Sequence, residues 1–432
     1  MKRFFIPAIA LLLAASLPAQ AASSFDLSAP GGISTEYSWN TATQVLTVND
    51  NADITITGTV SDGTRIEVAA GATATITLNG VSIIGLSGQS PLLLDTGAVV
   101  TLHLLGANTL TAGDWAAAGD HGAGIDAPSG TTLNIDGSGS LTATGGNVGA
   151  GIGGSYNHAG GNITISGGMI TANGGDSGAG IGGGNQSPGG NITINGDATV
   201  IATGGNCAAG IGGGYFSAGG VITIIDAASV TAKGGACAGW GGGAGIGSGG
   251  GGSGSPRSAG TIKIDTTGTI TATGGTGGAT GTMGANIGQG GSGTDGAGID
   301  ALTGPVSVSA TAGGTASLTC AVTAASGVAP AFAWAWQFSA ATPPAWSAVG
   351  GAANALNLSP VAASDAGQYR CEVTASALAN DAASSIVYAS GPVRLTVLSA
   401  TAAAVPTLNE WALALLALLL AGGAALRARR EG

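Results

Sequence analysis

Between Gly145 and Gly275 one motif is written repeatedly with small edits. It reads Gly145-Gly-Asn-Val-Gly-Ala-Gly-Ile152-Gly-Gly, a polar loop, Gly-Asn162-Ile-Thr-Ile165-Ser-Gly-Gly, then Met169-Ile-Thr-Ala172-Asn-Gly-Gly. The Gly-Gly steps return at Gly174, Gly204, Gly234 and Gly274, a period of 29 or 30 residues until a ten-residue glycine-rich insertion lengthens the last unit. A fixed period of this length implies an architecture of stacked units that share one core.

Two segments of every unit alternate apolar and polar residues. Ile163 and Ile165 return as Ile192 and Ile194, Ile222 and Ile224, and Ile262 and Ile264. The second segment carries Leu141 and Ala143, Ile170 and Ala172, Val200 and Ala202, Val230 and Ala232, and Ile270 and Ala272. Period-2 alternation marks strands with one buried face. A third apolar position, at Ile152, Ile181, Ile211 and Ile246, adds one inward residue per unit. Three short strands per unit predict an all-β chain built on a right-handed parallel β-helix, a β-solenoid advancing about 4.8 Å per turn. Glycine-rich tracts also occur as linkers, but linkers do not keep isoleucines in register.

Lys2 and Arg3, the apolar run from Phe4 to Leu17, and Ala19-Gln-Ala21 predict a signal peptide over residues 1–21. Residues 22–40 are expected to cap the first coil. The solenoid is expected over 41–302, its first coils less regular and carrying Ile54, Ile56, Ile66, Val68, Ile76 and Leu78 inward. With a formal net charge of −11, the chain has no basic footprint for nucleic acid.

The repeats quoted above, with Ile76-Thr-Leu-Asn-Gly-Val-Ser-Ile83, resemble those of bacterial surface proteins described as carbohydrate-binding or adhesin-like. That resemblance implies a β-helix on the cell exterior and transfers fold better than ligand.

Near Pro305 the composition changes. Ala316-Ser-Leu-Thr-Cys320, Phe332-Ala-Trp334-Ala-Trp336 and Asp365-Ala-Gly-Gln-Tyr369-Arg-Cys371 resemble an immunoglobulin-like sandwich over residues 303–398. The resemblance implies a Cys320–Cys371 disulfide, a tyrosine corner at Tyr369 and a core tryptophan, for which Trp336 is favoured and Trp334 left open. After a linker at 399–404, the segment 405–432 resembles the C-terminal sorting domain of Gram-negative bacteria that begins Ile-Pro-Thr-Leu. Here Val405 replaces the isoleucine before Pro406, Thr407 and Leu408, and Trp411 opens an apolar run that ends at Arg427, Arg429 and Arg430. The resemblance implies a transmembrane helix, a sorting protease as partner, and an exported protein that is membrane-anchored, at the cell surface, or secreted after tail processing. From Trp411 to Leu426 a helix would span about 24 Å, short of the roughly 30 Å hydrocarbon core, with the arginines cytoplasmic.

Cys207 and Cys237 share a repeat phase 30 residues apart, so they should lie one above the other and form a rung-to-rung disulfide. A catalytic carboxylate pair does not emerge from the repeat phases, and His103, His121 and His158 read as an outward or loop residue each. The expectation is a protein that is not an enzyme and needs no cofactor or metal. Outward rows of hydroxyls, including Thr164, Thr193 and Thr223, together with Trp115, Trp240 and Tyr215 in the corner loops, are candidates for binding an extracellular polysaccharide or other cell-surface ligand. A polysaccharide lyase or hydrolase and a structural envelope component are the competing readings.

Overall fold

The computed structural model describes residues 23–61, 63–113, 121–252, 254, 257–278, 282–327, 329–378, 381–399 and 412–420. The expected signal peptide, Trp115, and the sorting residues Val405, Pro406, Thr407, Leu408, Trp411, Arg427, Arg429 and Arg430 lie outside them.

Each repeat forms one turn of a parallel β-helix with three faces. In one turn the chain passes through Ile152–Gly153 on the third sheet, Asn162–Ile165 on the first and Met169–Asn173 on the second. Every strand lies parallel to its counterpart one turn on: Ile163 beside Ile192, Ile170 beside Val200, Ile152 beside Ile181. Alternation decides which side chains turn inward, and stacking then sets like on like. Ile163, Ile165, Ile170, Ile181, Ile192 and Ile194 are at most 1% exposed. Each such isoleucine contributes about 1.5–3 kcal/mol by leaving water.

The third sheet is two residues wide in the regular turns, and the second of the two is glycine. Gly153, Gly182, Gly212, Gly247 and Gly288 stack in register with φ between 130° and 145°. A Cβ on Gly182 would lie 2.1 Å from the carbonyl oxygen of Gly212. Glycine is required here by both backbone angle and close approach.

At the N-terminal end Ser23–Asp26 extends the first sheet and the hairpin of Tyr37–Asn40 with Val45–Val48 extends the third. Phe25 packs edge-on against Tyr37 with ring centroids 5.2 Å apart, and the Trp39 ring is 5.5 Å from it, tilted. These aromatics close the open bottom of the core.

The C-terminal end is closed by the immunoglobulin-like sandwich. Its strand Asp381–Ala389 pairs in parallel with Thr261–Thr266, so the first sheet runs on into the sandwich. On the third sheet, Gly298–Thr303 turns back antiparallel to Ile287–Gly288 and pairs with Ala321–Ala324 of the sandwich. The solenoid core continues into the sandwich through Val373, Ala375 and Ile386. Trp334 touches both this core and that of the sandwich, whereas Trp336 is fully buried in the latter beside Cys320 and Cys371. Trp336 is therefore the core tryptophan, and its Nε1 donates to the carbonyl of Ala353 at 2.9 Å.

The apolar tail is helical over residues 412–420, about 13 Å of helix. Among the described residues no helix is long and apolar enough to cross a membrane, so the expected transmembrane span is not seen; its remainder, to Leu426, falls outside them.

Candidate functional site

The row of the third sheet that becomes the glycine ladder starts differently. In register from the N-terminal end it carries Thr47, Glu67, Leu93 and Asp126 before Gly153. Where side chains give way to glycine a groove opens, with a volume of about 570 Å³. Arg65, Leu93 and Asp126 rise from successive strands; His121 comes from the connection before Ile125, and Ser155, Tyr156 and His158 from the corner after Gly153.

Its polar groups are held in place. Ser155 Oγ donates to Asp126 Oδ2 at 2.6 Å and accepts the amide of Ala123 at 3.0 Å. Arg65 Nη2 donates to Glu67 Oε2 at 2.7 Å. Tyr156 stands edge-on to His121 at 5.3 Å and remains 43% exposed, an aromatic surface at the rim. An apolar ring beside several fixed donors and acceptors is the usual composition of a small-ligand site. None of the four coils is informative alone, so this groove is invisible to repeat counting. The one available signal was Asp126, an acidic residue at the ladder phase of a Gly-Ile-Gly repeat.

Thr164, Thr193 and Thr223 stand half-buried in one outward row of the first sheet. The full row is Asp53, Thr75, Thr101, Asn134, Thr164, Thr193, Thr223 and Lys263. At about 4.8 Å per rung it offers roughly 34 Å of flat polar surface. On the neighbouring row His103 Nδ1 and Asp136 Oδ1 pair across adjacent rungs at 2.7 Å.

The corner aromatics lie apart from this row. Tyr215 follows Ile211–Gly212 and packs against Phe216 at 5.9 Å, and Arg257 covers Phe216 with its Cζ 3.5 Å from the ring centroid. Trp240, 44% exposed, is in the connection that leads to Ile246.

Both disulfides form. Cys207 and Cys237 sit on neighbouring coils with Cα atoms 4.7 Å apart, and Cys320 and Cys371 bridge the sandwich at 6.6 Å. Tyr369 makes the tyrosine corner: its hydroxyl donates to the carbonyl of Asp365 at 2.9 Å. Burial, with the Asp365 carboxylate second, pushes its phenol up to about 12. Burial alone raises the phenol of Tyr388, on the strand that joins the first sheet.

The chain matches three family models. Beta helix repeats are found at residues 133–156, 163–185 and 192–215, an immunoglobulin domain at 306–381 and an IPTL-CTERM motif at 403–430. No curated protein matches. Among solved structures, murine CRIg is 15% identical with a TM-score of 0.18, covering 23% of this chain and 97% of its own. Domain 1 of VCBP3 from Branchiostoma floridae is 20% identical with a TM-score of 0.17, covering 22% of this chain and 94% of its own. Beta-helix repeats, an immunoglobulin domain and a sorting motif follow one another in this chain, an organisation that supports an exported protein of the cell surface or membrane.

Proposed function

We propose that the protein is a non-catalytic adhesin that binds extracellular polysaccharide. The groove around Asp126 carries this reading, since it sets the exposed ring of Tyr156 beside the fixed polar groups of Arg65, Ser155 and Asp126. Sugars need both, an apolar ring face to stack on and hydrogen-bond partners for their hydroxyls. The solenoid holds the groove on a rigid stalk, while the C-terminal motif directs the chain to a sorting protease, its apolar helix engaging the membrane.

The test measures retention and product release together, using purified protein with a panel of neutral and acidic polysaccharides. Retention without products, weakened about tenfold or more by Tyr156→Ala, is the expected result. Release of shortened chains or reducing ends would make the protein an enzyme. Failure to retain any polymer would leave a structural or protein-binding role.

A further inference from the structure

A second cleft lies where the sandwich joins the last coils. Its volume is about 370 Å³, and Asp226, Lys263, Asp265, Trp346, Arg370 and Pro392 are among its lining residues. Neither domain forms it alone: the first three come from the solenoid and the last three from the sandwich.

The polar row of the first sheet runs directly into it, Thr193 and Thr223 being followed in register by Lys263. Trp346 is held by Arg370, whose Cζ lies 4.4 Å from the ring centroid. Arg370 is itself fixed by two contacts to Asp265 and by donation from Nε to Gln337 Oε1 at 2.6 Å. The indole is thus fixed by the guanidinium stacked on it. Asp226 accepts the amide of Gly196 at 3.2 Å, and Lys263 has no carboxylate within ion-pairing distance among the described residues. One acceptor and one donor therefore share the cleft with the indole.

We infer that this junction is a subsite for a neutral polysaccharide, one sugar ring stacking on Trp346 while its hydroxyls bond Asp226 and Lys263 and the chain continues along the threonine row. This deepens the polysaccharide-binding reading and rests on it. Charge selects the class of ligand. Two cations and two carboxylates balance inside the cleft, and the whole chain carries a formal charge of −11. A polyanion gains no net attraction there and meets repulsion outside. Clefts at domain junctions are favoured ligand sites because two rigid bodies supply convergent groups.

Binding of soluble β-glucan, xylan and mannan to the full protein, with polygalacturonate as the anionic comparison, tests the inference. A neutral polymer should be retained more tightly than polygalacturonate, and Trp346→Ala and Lys263→Ala should each weaken its binding by about tenfold. Lys263 is exposed, so its replacement leaves the fold intact and keeps the test decisive if Trp346→Ala is destabilised. Unchanged binding in Lys263→Ala and in folded Trp346→Ala, with loss in Tyr156→Ala, would overturn the junction subsite and leave the groove standing. Preference for polygalacturonate would overturn the neutral class. Absence of binding by the unaltered protein to every polymer would overturn both the subsite and the polysaccharide reading.

Discussion

Arg370 of the sandwich and Asp265 of the last coil form a two-point ion pair across the domain junction, with Nη1 facing Oδ1 and Nη2 3.1 Å from Oδ2. The arginine side chain is only 11% exposed, the aspartate 27%. Asp265→Ala leaves a largely buried guanidinium with Gln337 as its remaining side-chain hydrogen-bond partner among the described residues, at a cost of about 1–3 kcal/mol. Thermal unfolding should show that loss, smaller for Asp265→Asn, which keeps an acceptor. An unchanged melting temperature in Asp265→Ala would mean that the junction is held by the strand pairing alone.

The strand pairings at the junction also protect two sheet edges. A chain ending at Thr303 exposes the first sheet at Thr261–Thr266 and leaves Gly298–Thr303 unpaired on its outer side. Open edges recruit other chains. Size-exclusion chromatography should find this truncated chain aggregated, whereas a monodisperse product would show the sandwich to be dispensable as a cap.

Tyr369 ties stability to alkaline pH. Its phenol titrates near 10 in the unfolded chain and is pushed up to about 12 in the folded one, so the folded state holds the proton more tightly. The contribution is complete below pH 10 and is lost as pH rises from about 10 to 12. Denaturant titrations at stepped pH should find sandwich stability falling across that window. Tyr369→Phe should flatten this part of the profile and, by losing the hydrogen bond to Asp365, cost about 1 kcal/mol at neutral pH.

Gly182→Ala tests the glycine ladder. The new Cβ would meet the Gly212 carbonyl oxygen at 2.1 Å in a backbone conformation with φ 135°. Neighbouring coils have to separate, so the expected loss exceeds about 3 kcal/mol, visible as poor soluble yield or a large drop in melting temperature. Thr193→Ala, on an outward row, should stay within about 0.5 kcal/mol.

The Cys207–Cys237 bridge closes one full coil, a sequence separation of 30 residues. Removing it by Cys207→Ala with Cys237→Ala should destabilise the solenoid by about 2–4 kcal/mol. Equal melting temperatures for this double variant and the parent under non-reducing conditions would show that the stacked coils need no cross-link.

The regular coils were legible residue by residue because each short strand has a fixed partner one period later. Ile163 on Ile192 and Cys207 over Cys237 require only counting. The sandwich disulfide was legible for another reason: the resemblance of Cys320, Tyr369 and Cys371 to an immunoglobulin-like sandwich implies it, and the bridge and the tyrosine corner both form. Trp334 and Trp336 are two residues apart on one strand and share a face, so local pattern could not choose between them. Position along the strand chose, because Trp334 reaches the solenoid core and Trp336 the disulfide.

Periodic sequence thus determined the β-helix, the face each strand turns inward and the rung-to-rung disulfide, since all three depend on alternation and a constant period. Tertiary structure alone decided the two clefts. Arg65, Asp126 and Tyr156 converge from coils whose lengths differ, and Lys263 shares a cleft with Trp346 because Asp381–Ala389 joins the first sheet. Irregular coils and domain docking bring together residues that share no period, and such contacts are set by packing in space rather than by spacing along the chain.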